Sequence, residues 1–159
     1  MEESIKVNVD ASVYTSLDFF GVGVIIQDHY GVAIAAASKR LPGHFAPHLA
    51  ECMAIKVETE LVKEYNLKNW SIESDAVNVI NTIINSAPLA PEAHIIEDIK
   101  EGMLMTFCSS VNHCSRSANK VAHSLAQFAI DSKENLFLKE VMPMFVGPLI
   151  CNDYFFCNC

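Results

Sequence analysis

Positive charge is what this sequence has least of. Its 159 residues carry 11 Lys and Arg against 19 Asp and Glu, a net charge of −8 with neutral histidines. That balance excludes a protein held to polyanions by bulk charge alone. Long apolar runs are missing as well. No stretch reaches the roughly 18 residues that a membrane-spanning helix needs, so no membrane association is expected. The opening Met1-Glu2-Glu3 is acidic and polar, unlike a secretion signal. Six cysteines are present without a disulfide framework: Cys52, Cys108 and Cys114 sit in or beside apolar periodic segments, and Cys151, Cys157 and Cys159 crowd the tail. Reduced thiols are expected, and with them an intracellular protein, nuclear or cytoplasmic.

Half of the chain, 51%, is hydrophobic, enough to build the core of one domain and too much for a disordered chain. The charge is unevenly spread. His29 to Ala50 holds no acid but has Lys39, Arg40 and three histidines, and Gly102 to Ile130 holds no acid but has Arg116, Lys120 and two histidines. Glu51 to Glu101 has four basic and ten acidic residues. An anionic partner can therefore be received locally despite the overall sign.

Hydrophobic spacing predicts the elements. Ile5, Val7 and Val9 alternate as in a strand. The apolar runs Val22 to Ile26 and Val32 to Ala37 flank Asp28-His29-Tyr30-Gly31 and read as a hairpin. Leu41-Pro42-Gly43 breaks the pattern. Pro47 suits a helix start, and Ala50, Ala54, Val57 and Leu61 carry a helix to about Tyr65, with Asn66 as its stop. Trp70 to Ser74 alternates as a strand. Short helices are expected from Val77 and from Glu92 to about Met103, separated by a loop from Ser86 to Pro91. Met105 to Val111 is a strand candidate, and Ser117 to Ile130 is a helix with Val121, Leu125 and Phe128 on one side. The order β-β-β-α-β-α-α-β-α describes one α/β domain with a mixed sheet, spanning residues 4–132. Residues 133–159 are expected to be an irregular tail that packs on the domain or trails from it.

Three carboxylates stand where periodicity does not explain them: Asp10 at the end of the first strand, Glu51 one turn into the first long helix, and Asp75 just past the fourth strand. If strands one and four are neighbours, Asp10 and Asp75 come close and the helix leans Glu51 over them. Clustered carboxylates repel unless a cation neutralises them, and hard oxygen ligands suit Mg²⁺ or Mn²⁺. The alternative is three unrelated roles: a helix cap at Asp75, a favourable helix-start charge at Glu51 and a turn residue at Asp10.

Four blocks resemble one family. Lys6-Val7-Asn8-Val9-Asp10-Ala11 with Gly21-Val22-Gly23-Val24-Ile25-Ile26-Gln27-Asp28 and Gly31 is similar to the opening hairpin of ribonuclease H-like domains, in the form of the plant reverse-transcriptase-like group. Leu49-Ala50-Glu51-Cys52-Met53-Ala54 resembles that family's Ala-Glu helix, and Ile72-Glu73-Ser74-Asp75 its Glu-Ser-Asp strand end. His113 to Ala126 resembles its ending, His-x-x-Arg-x-x-Asn-x-x-Ala-(Asp/His)-x-Leu-Ala. The tail segment from Leu138 to Pro143 is similar to the group's usual close.

The resemblance implies an α/β fold with a five-stranded mixed sheet, antiparallel hairpin strands first, flanked by helices. It implies a metal-dependent endoribonuclease that cleaves the RNA strand of RNA–DNA hybrids, leaving 5′-phosphate and 3′-hydroxyl ends, acting as a monomer and related to retroelements. Carried over residue by residue, Asp10, Glu51 and Asp75 bind Mg²⁺ (or Mn²⁺), and His113 assists proton transfer or product release. His123 stands where the hydrolases place a fourth Asp. An imidazole can ligate a metal but removes one negative charge. Asn119, Arg116 and Lys120 are the expected nucleic-acid contacts. Two other readings stay open: a binding module of the same fold that has lost cleavage, and an α/β scaffold with no nucleic-acid partner. Among weaker candidates, His44 and His48 are four apart but straddle Pro47, Gly21-Val22-Gly23 lacks the following helix of a dinucleotide loop, and His29 reads as a turn residue.

Overall fold

The computed structural model describes residues 4–85, 91–132 and 135–139. The elements are β1 (Ile5–Ser12), β2 (Phe19–Gln27), β3 (Ala33–Pro42), α1 (Pro47–Glu64), β4 (Trp70–Ser74), α2 (Val77–Asn85), α3 (Ala93–Met105), β5 (Cys108–His113), α4 (Lys120–Asp131) and β6 (Leu136–Lys139). A 3₁₀ turn over Arg116–Asn119 leads into α4. The sheet order is β5-β4-β1-β2-β3-β6. β1, β2 and β3 are antiparallel neighbours, β4 runs parallel to β1, and β5 runs parallel to β4. This is the expected mixed sheet with its five strands in place.

A sixth strand corrects the reading of the tail as irregular. Leu136–Lys139 pairs antiparallel with β3, Ser38 opposite Leu136 and Ala35 opposite Lys139. Without it, β3 would be an edge with unpaired backbone groups, and those groups recruit the next extended segment. Cys151, Cys157 and Cys159 lie outside the described residues, as does most of the expected loop from Ser86 to Pro91. Cys52, Cys108 and Cys114 are free thiols.

Alternation assigns the two faces. Val7, Val9, Val22, Val24, Ile26, Ala35, Ala37 and Ile72 pack with α1, α2 and α3 residues in one core. Ile25 and Ala36 point the other way and pack with Val121, Ala122 and Leu125 of α4. Turn chemistry matches the backbone. Asp28 Oδ1 accepts from the amides of Tyr30 and Val32, and Gly31 supplies a φ of 79°. Asn66 ends the first helix region in a left-handed conformation, φ 52°. The expected break at Leu41-Pro42-Gly43 falls on Gly43, whose φ is 129°. The last expected strand starts three residues later than read, because α3 continues to Met105 and the chain turns through Phe107 at φ 57°.

Helix α4 lies unusually close to β2. A Cβ on Gly23 would stand 2.0 Å from the Ala122 carbonyl oxygen, and one on Gly21 would stand 2.1 Å from that of Ala126. Only hydrogen fits there, which explains Gly21 and Gly23 opposite the alanines. The far end of α4 is held by Arg40. Its Nε donates to the Ala129 carbonyl at 2.6 Å and its Nη2 to that of Ile130 at 2.8 Å, and its guanidinium lies 4.2 Å over the Phe19 ring. These bonds satisfy helix-end carbonyls. The contact at Gly23 is with backbone, which cannot rotate away. Gly23→Val is therefore expected to destabilise by about 3 kcal/mol or more, or to prevent folding. Urea denaturation followed by circular dichroism measures this; a loss of under about 1 kcal/mol would show that α4 can lift off the sheet cheaply.

Candidate active site

The parallel pairing of β1 with β4 brings the ends of both strands together, so Asp10 near the end of β1 and Asp75 just after β4 reach one edge of the sheet. Pro47 starts α1 above that edge, and Glu51 lies one turn in. Glu51 Oε1 accepts from the Ala11 amide at 3.3 Å. The Asp10 and Glu51 carboxyls are close enough to influence each other's protonation. α4 delivers His123 from the other side, its Nδ1 2.7 Å from Asp10 Oδ2. Asp10, Glu51, Asp75, Arg116, Lys120 and His123 line one cleft of about 580 Å³.

Asn119 holds this arrangement from beneath. Its Nδ2 donates to the Val9 carbonyl at 2.9 Å and to Asp75 Oδ1 at 3.0 Å, and its Oδ1 accepts from Asn8 Nδ2 at 3.1 Å. It is 2% exposed. Both ends of its amide are committed inside the protein, and Asn119 also lines the floor of the cleft. The nitrogen end links β1 to the segment after β4, so Asn119 fixes the separation of Asp10 and Asp75.

Lys120 and Arg116 do face outward. Arg116 Nε is 3.8 Å from Asp75 Oδ2, with its side chain 95% exposed, so this pair contributes little to stability. His113 ends β5, exposed and in register with Ser74, and is not among the residues lining the cleft. His44 and His48 do not face a common centre: His44 Nδ1 approaches the Leu17 carbonyl, and His48 Nε2 lies 3.0 Å from Glu92 Oε1.

Burial and mutual repulsion dominate the electrostatics. Desolvation raises the Glu51 carboxyl to about 9, with the Asp10 charge the next cause. Burial also raises Asp10, offset by its contacts with His123 and Glu51. At neutral pH Glu51 therefore keeps its proton, which relieves the repulsion between neighbouring carboxyls. Among the described residues no three His, Cys, Asp or Glu side chains stand as a ready ion cage. Asp10 is closed onto Glu51 and His123 instead. Yet Glu51 Oε2 is buried without a hydrogen-bond partner, and three carboxylates face one solvent-connected cleft. The donor set fits a hard divalent cation, which would displace the proton and engage the orphaned oxygen.

Residues 8–129 match the model of the reverse transcriptase-like family. The chain belongs to that family. Its fold is ribonuclease H-like: this reverse transcriptase-like domain is similar to ribonuclease H1 from the archaeon Halobacterium salinarum, at 17% identity and a TM-score of 0.73, covering 80% of this chain and 98% of that one. It is similarly close to LC11-RNase H1 from a compost metagenome, solved with an RNA/DNA hybrid, at 17% identity, a TM-score of 0.71, and 80% and 96% coverage. The N-terminal ribonuclease H domain of a Mycobacterium tuberculosis protein matches at 14% identity and a TM-score of 0.69, with 80% and 94% coverage. No curated protein matches the sequence. Among the described residues no helix of this reverse transcriptase-like domain is long and apolar enough to cross a membrane.

Glu51 gives a signed pH dependence. Its folded-state value near 9 exceeds the unfolded value near 4.5, so its protonated form stabilises the fold. The contribution is complete below about 4.5 and is lost as pH rises through 9. Glu58, fully buried with both oxygens unpartnered and also raised, acts in the same direction. In a chelating buffer the melting temperature should fall between pH 5 and 9, and Glu51→Gln should make that fall shallower without removing it. An unchanged slope would show that Glu51 is already ionised at neutral pH.

Asn119→Ala should cost about 2 kcal/mol or more, since it removes three hydrogen bonds at a buried position and takes the Asn119 partner from the Val9 carbonyl and Asp75. Urea denaturation is the measurement, and a loss within about 0.5 kcal/mol would show that water replaces the side chain.

Proposed function

We propose that this protein is a divalent-metal-dependent endoribonuclease acting on the RNA strand of RNA–DNA hybrids. The observation that carries this reading is the convergence of Asp10, Glu51 and Asp75 in one cleft at a strand-end edge of a ribonuclease H-like fold. Asp10, Glu51 and Asp75 would hold Mg²⁺ or Mn²⁺, with His123 at the rim. When bound, such an ion activates water and stabilises the charge that develops at the scissile phosphate. The chain's own residues do the rest. Asn119 sets the carboxylate spacing, α4 closes one wall of the cleft, and Arg116 and Lys120 offer exposed cations to the phosphates on either side. His113, exposed at the end of β5, serves proton transfer or product release once substrate extends past the cleft.

The second reading is a hybrid-binding module with weakened cleavage, and the His123–Asp10 contact favours it. His123 Nδ1 stands 2.7 Å from Asp10 Oδ2, an oxygen that an ion would need, and an imidazole supplies no negative charge in place of a carboxylate. Cleavage should therefore be faster with Mn²⁺, which accepts nitrogen donors better than Mg²⁺. Incubation of the full chain with a labelled hybrid tests both readings. Asp10→Asn should abolish cleavage while the melting temperature stays level or rises. His123→Asp should raise Mg²⁺-dependent cleavage. Salt-sensitive hybrid binding with no cleavage by either the native chain or His123→Asp would establish the binding module and refute the nuclease.

A further inference from the structure

Asn8 is an amide buried in the middle of a strand, and its surroundings use only one end of it. It lies on β1 level with Ile25 of β2 and Glu73 of β4, on the face of the sheet where Ile25 packs with α4. Its neighbours Val7 and Val9 point into the opposite core. Asn8 is 2% exposed, and burying an amide costs stability unless its polar atoms find partners. The nitrogen finds them. Nδ2 donates to Asn119 Oδ1 at 3.1 Å and to Glu73 Oε2 at 3.3 Å, with Cys114 Sγ at 3.8 Å. The oxygen does not: Asn8 Oδ1 is buried with no hydrogen-bond partner. Turning the amide over would not repair this, because the oxygen would then meet Asn119 Oδ1 and Glu73 Oε2, which both accept. The side chain therefore serves through its nitrogen.

That nitrogen bears on how Asn119 stands. A primary amide has nearly the same shape either way round, so its orientation is set by which neighbours donate and which accept. Asn119 Nδ2 faces two acceptors, the Val9 carbonyl at 2.9 Å and Asp75 Oδ1 at 3.0 Å, and its Oδ1 faces a donor, Asn8 Nδ2. We propose that Asn8 is a positioning residue for the cleft: by donating to Asn119 Oδ1, it keeps the Asn119 nitrogen turned to Asp75. Asp75 is thereby held through Oδ1, while its Oδ2 lies 3.8 Å from the exposed Arg116. Asn8 is not among the residues lining the cleft, so it acts through Asn119. Without the Asn8 donor, Asn119 Oδ1 loses its partner, and the amide loses the contact that opposes its rotation. The consequence for cation binding and cleavage rests on the nuclease reading; the orientation of Asn119 does not.

The test uses the full chain with Asn8→Leu, which keeps the shape of the side chain without a donor, and separately with Asn8→Val, which matches the flanking valines. Both variants remove the orphaned oxygen along with the donor, so the melting temperature should stay within about 5 °C of the native value. Exchange of the Asn119 side-chain amide protons, followed by NMR, should become about tenfold faster or more in both. Calorimetric titration with Mn²⁺, without nucleic acid, should show affinity weakened about tenfold, and cleavage of a labelled hybrid at subsaturating Mn²⁺ should fall with it. Unchanged Asn119 exchange in either folded variant would overturn the proposal, whatever happens to cleavage. A collapse of the melting temperature in both variants, with faster exchange at backbone amides throughout the sheet, would overturn it too and leave Asn8 a purely structural residue. If the native chain neither binds Mn²⁺ nor cleaves hybrid, the nuclease reading fails, and the Asn119 exchange alone upholds or overturns the role of Asn8.

Discussion

Helix α4 rests on bare backbone. Gly21 and Gly23 of β2 leave room for nothing larger than hydrogen beneath Ala122 and Ala126, and that close approach sets the height of the whole helix above the sheet. The cleft depends on it. His123 reaches Asp10 Oδ2 at 2.7 Å only because α4 sits so low, and Asn119 at the head of the helix reaches Val9 and Asp75 for the same reason. Arg40 ties down the far end of α4 through its last carbonyls, so the helix is anchored at both ends. One wall of the cleft is therefore held by the protein's own bonds.

The stability cost of this arrangement is concentrated in α1. Glu51 and Glu58 are two turns apart on the same helix face, Glu58 fully buried and Glu51 half-buried with its Oε2 out of solvent, and both are raised because burial penalises their charged forms. A helix selected for stability alone would carry leucine at both positions. Glu51 has a functional counterpart in the carboxylate group around it. Glu58 has none in the cleft, and its two oxygens lack partners. The core between α1 and the sheet thus tolerates one uncompensated acid by keeping it protonated.

Much of this was legible in the sequence, and the parts that were not share a cause. Val7, Val9, Ile25 and Val24 alternate, so the strands and their two faces follow from period-two spacing. Asp28 and Gly31 specify their turn chemically, and Pro47 marks its helix. The three carboxylates were conspicuous because each stood at an element's end with no packing role. β6 was missed because Leu136-Phe137-Leu138-Lys139 has no alternation and is followed by Pro143; what makes it a strand is the free edge of β3, a partner more than ninety residues away. The resemblance gives Asn119 as a nucleic-acid contact, and helical spacing alone would put it on the same side as His123. The 3₁₀ turn that ends at Asn119 winds more tightly than an α-helix and drops its side chain between β1 and Asp75, while His123 stays at the rim. Local spacing cannot report either event, since both are decided by tertiary contact.

The replacement at 123 then acquires a specific physical meaning. In a site with four carboxylates, the repulsion among them is relieved only by cations, so ion binding is coupled to the release of strain. Here relief is available without an ion. His123 Nδ1 lies against Asp10 at 2.7 Å, and the neighbouring Glu51 keeps its proton at neutral pH. The apo site is thereby stabilised in a closed form. If the site holds a cation, as proposed, that cation would displace the Glu51 proton and compete with the imidazole for Asp10. On that reading an imidazole in place of a carboxylate would weaken the site twice, once by removing a ligand charge and once by stabilising the state without metal. The three carboxylates still converge on one cleft with histidine at 123.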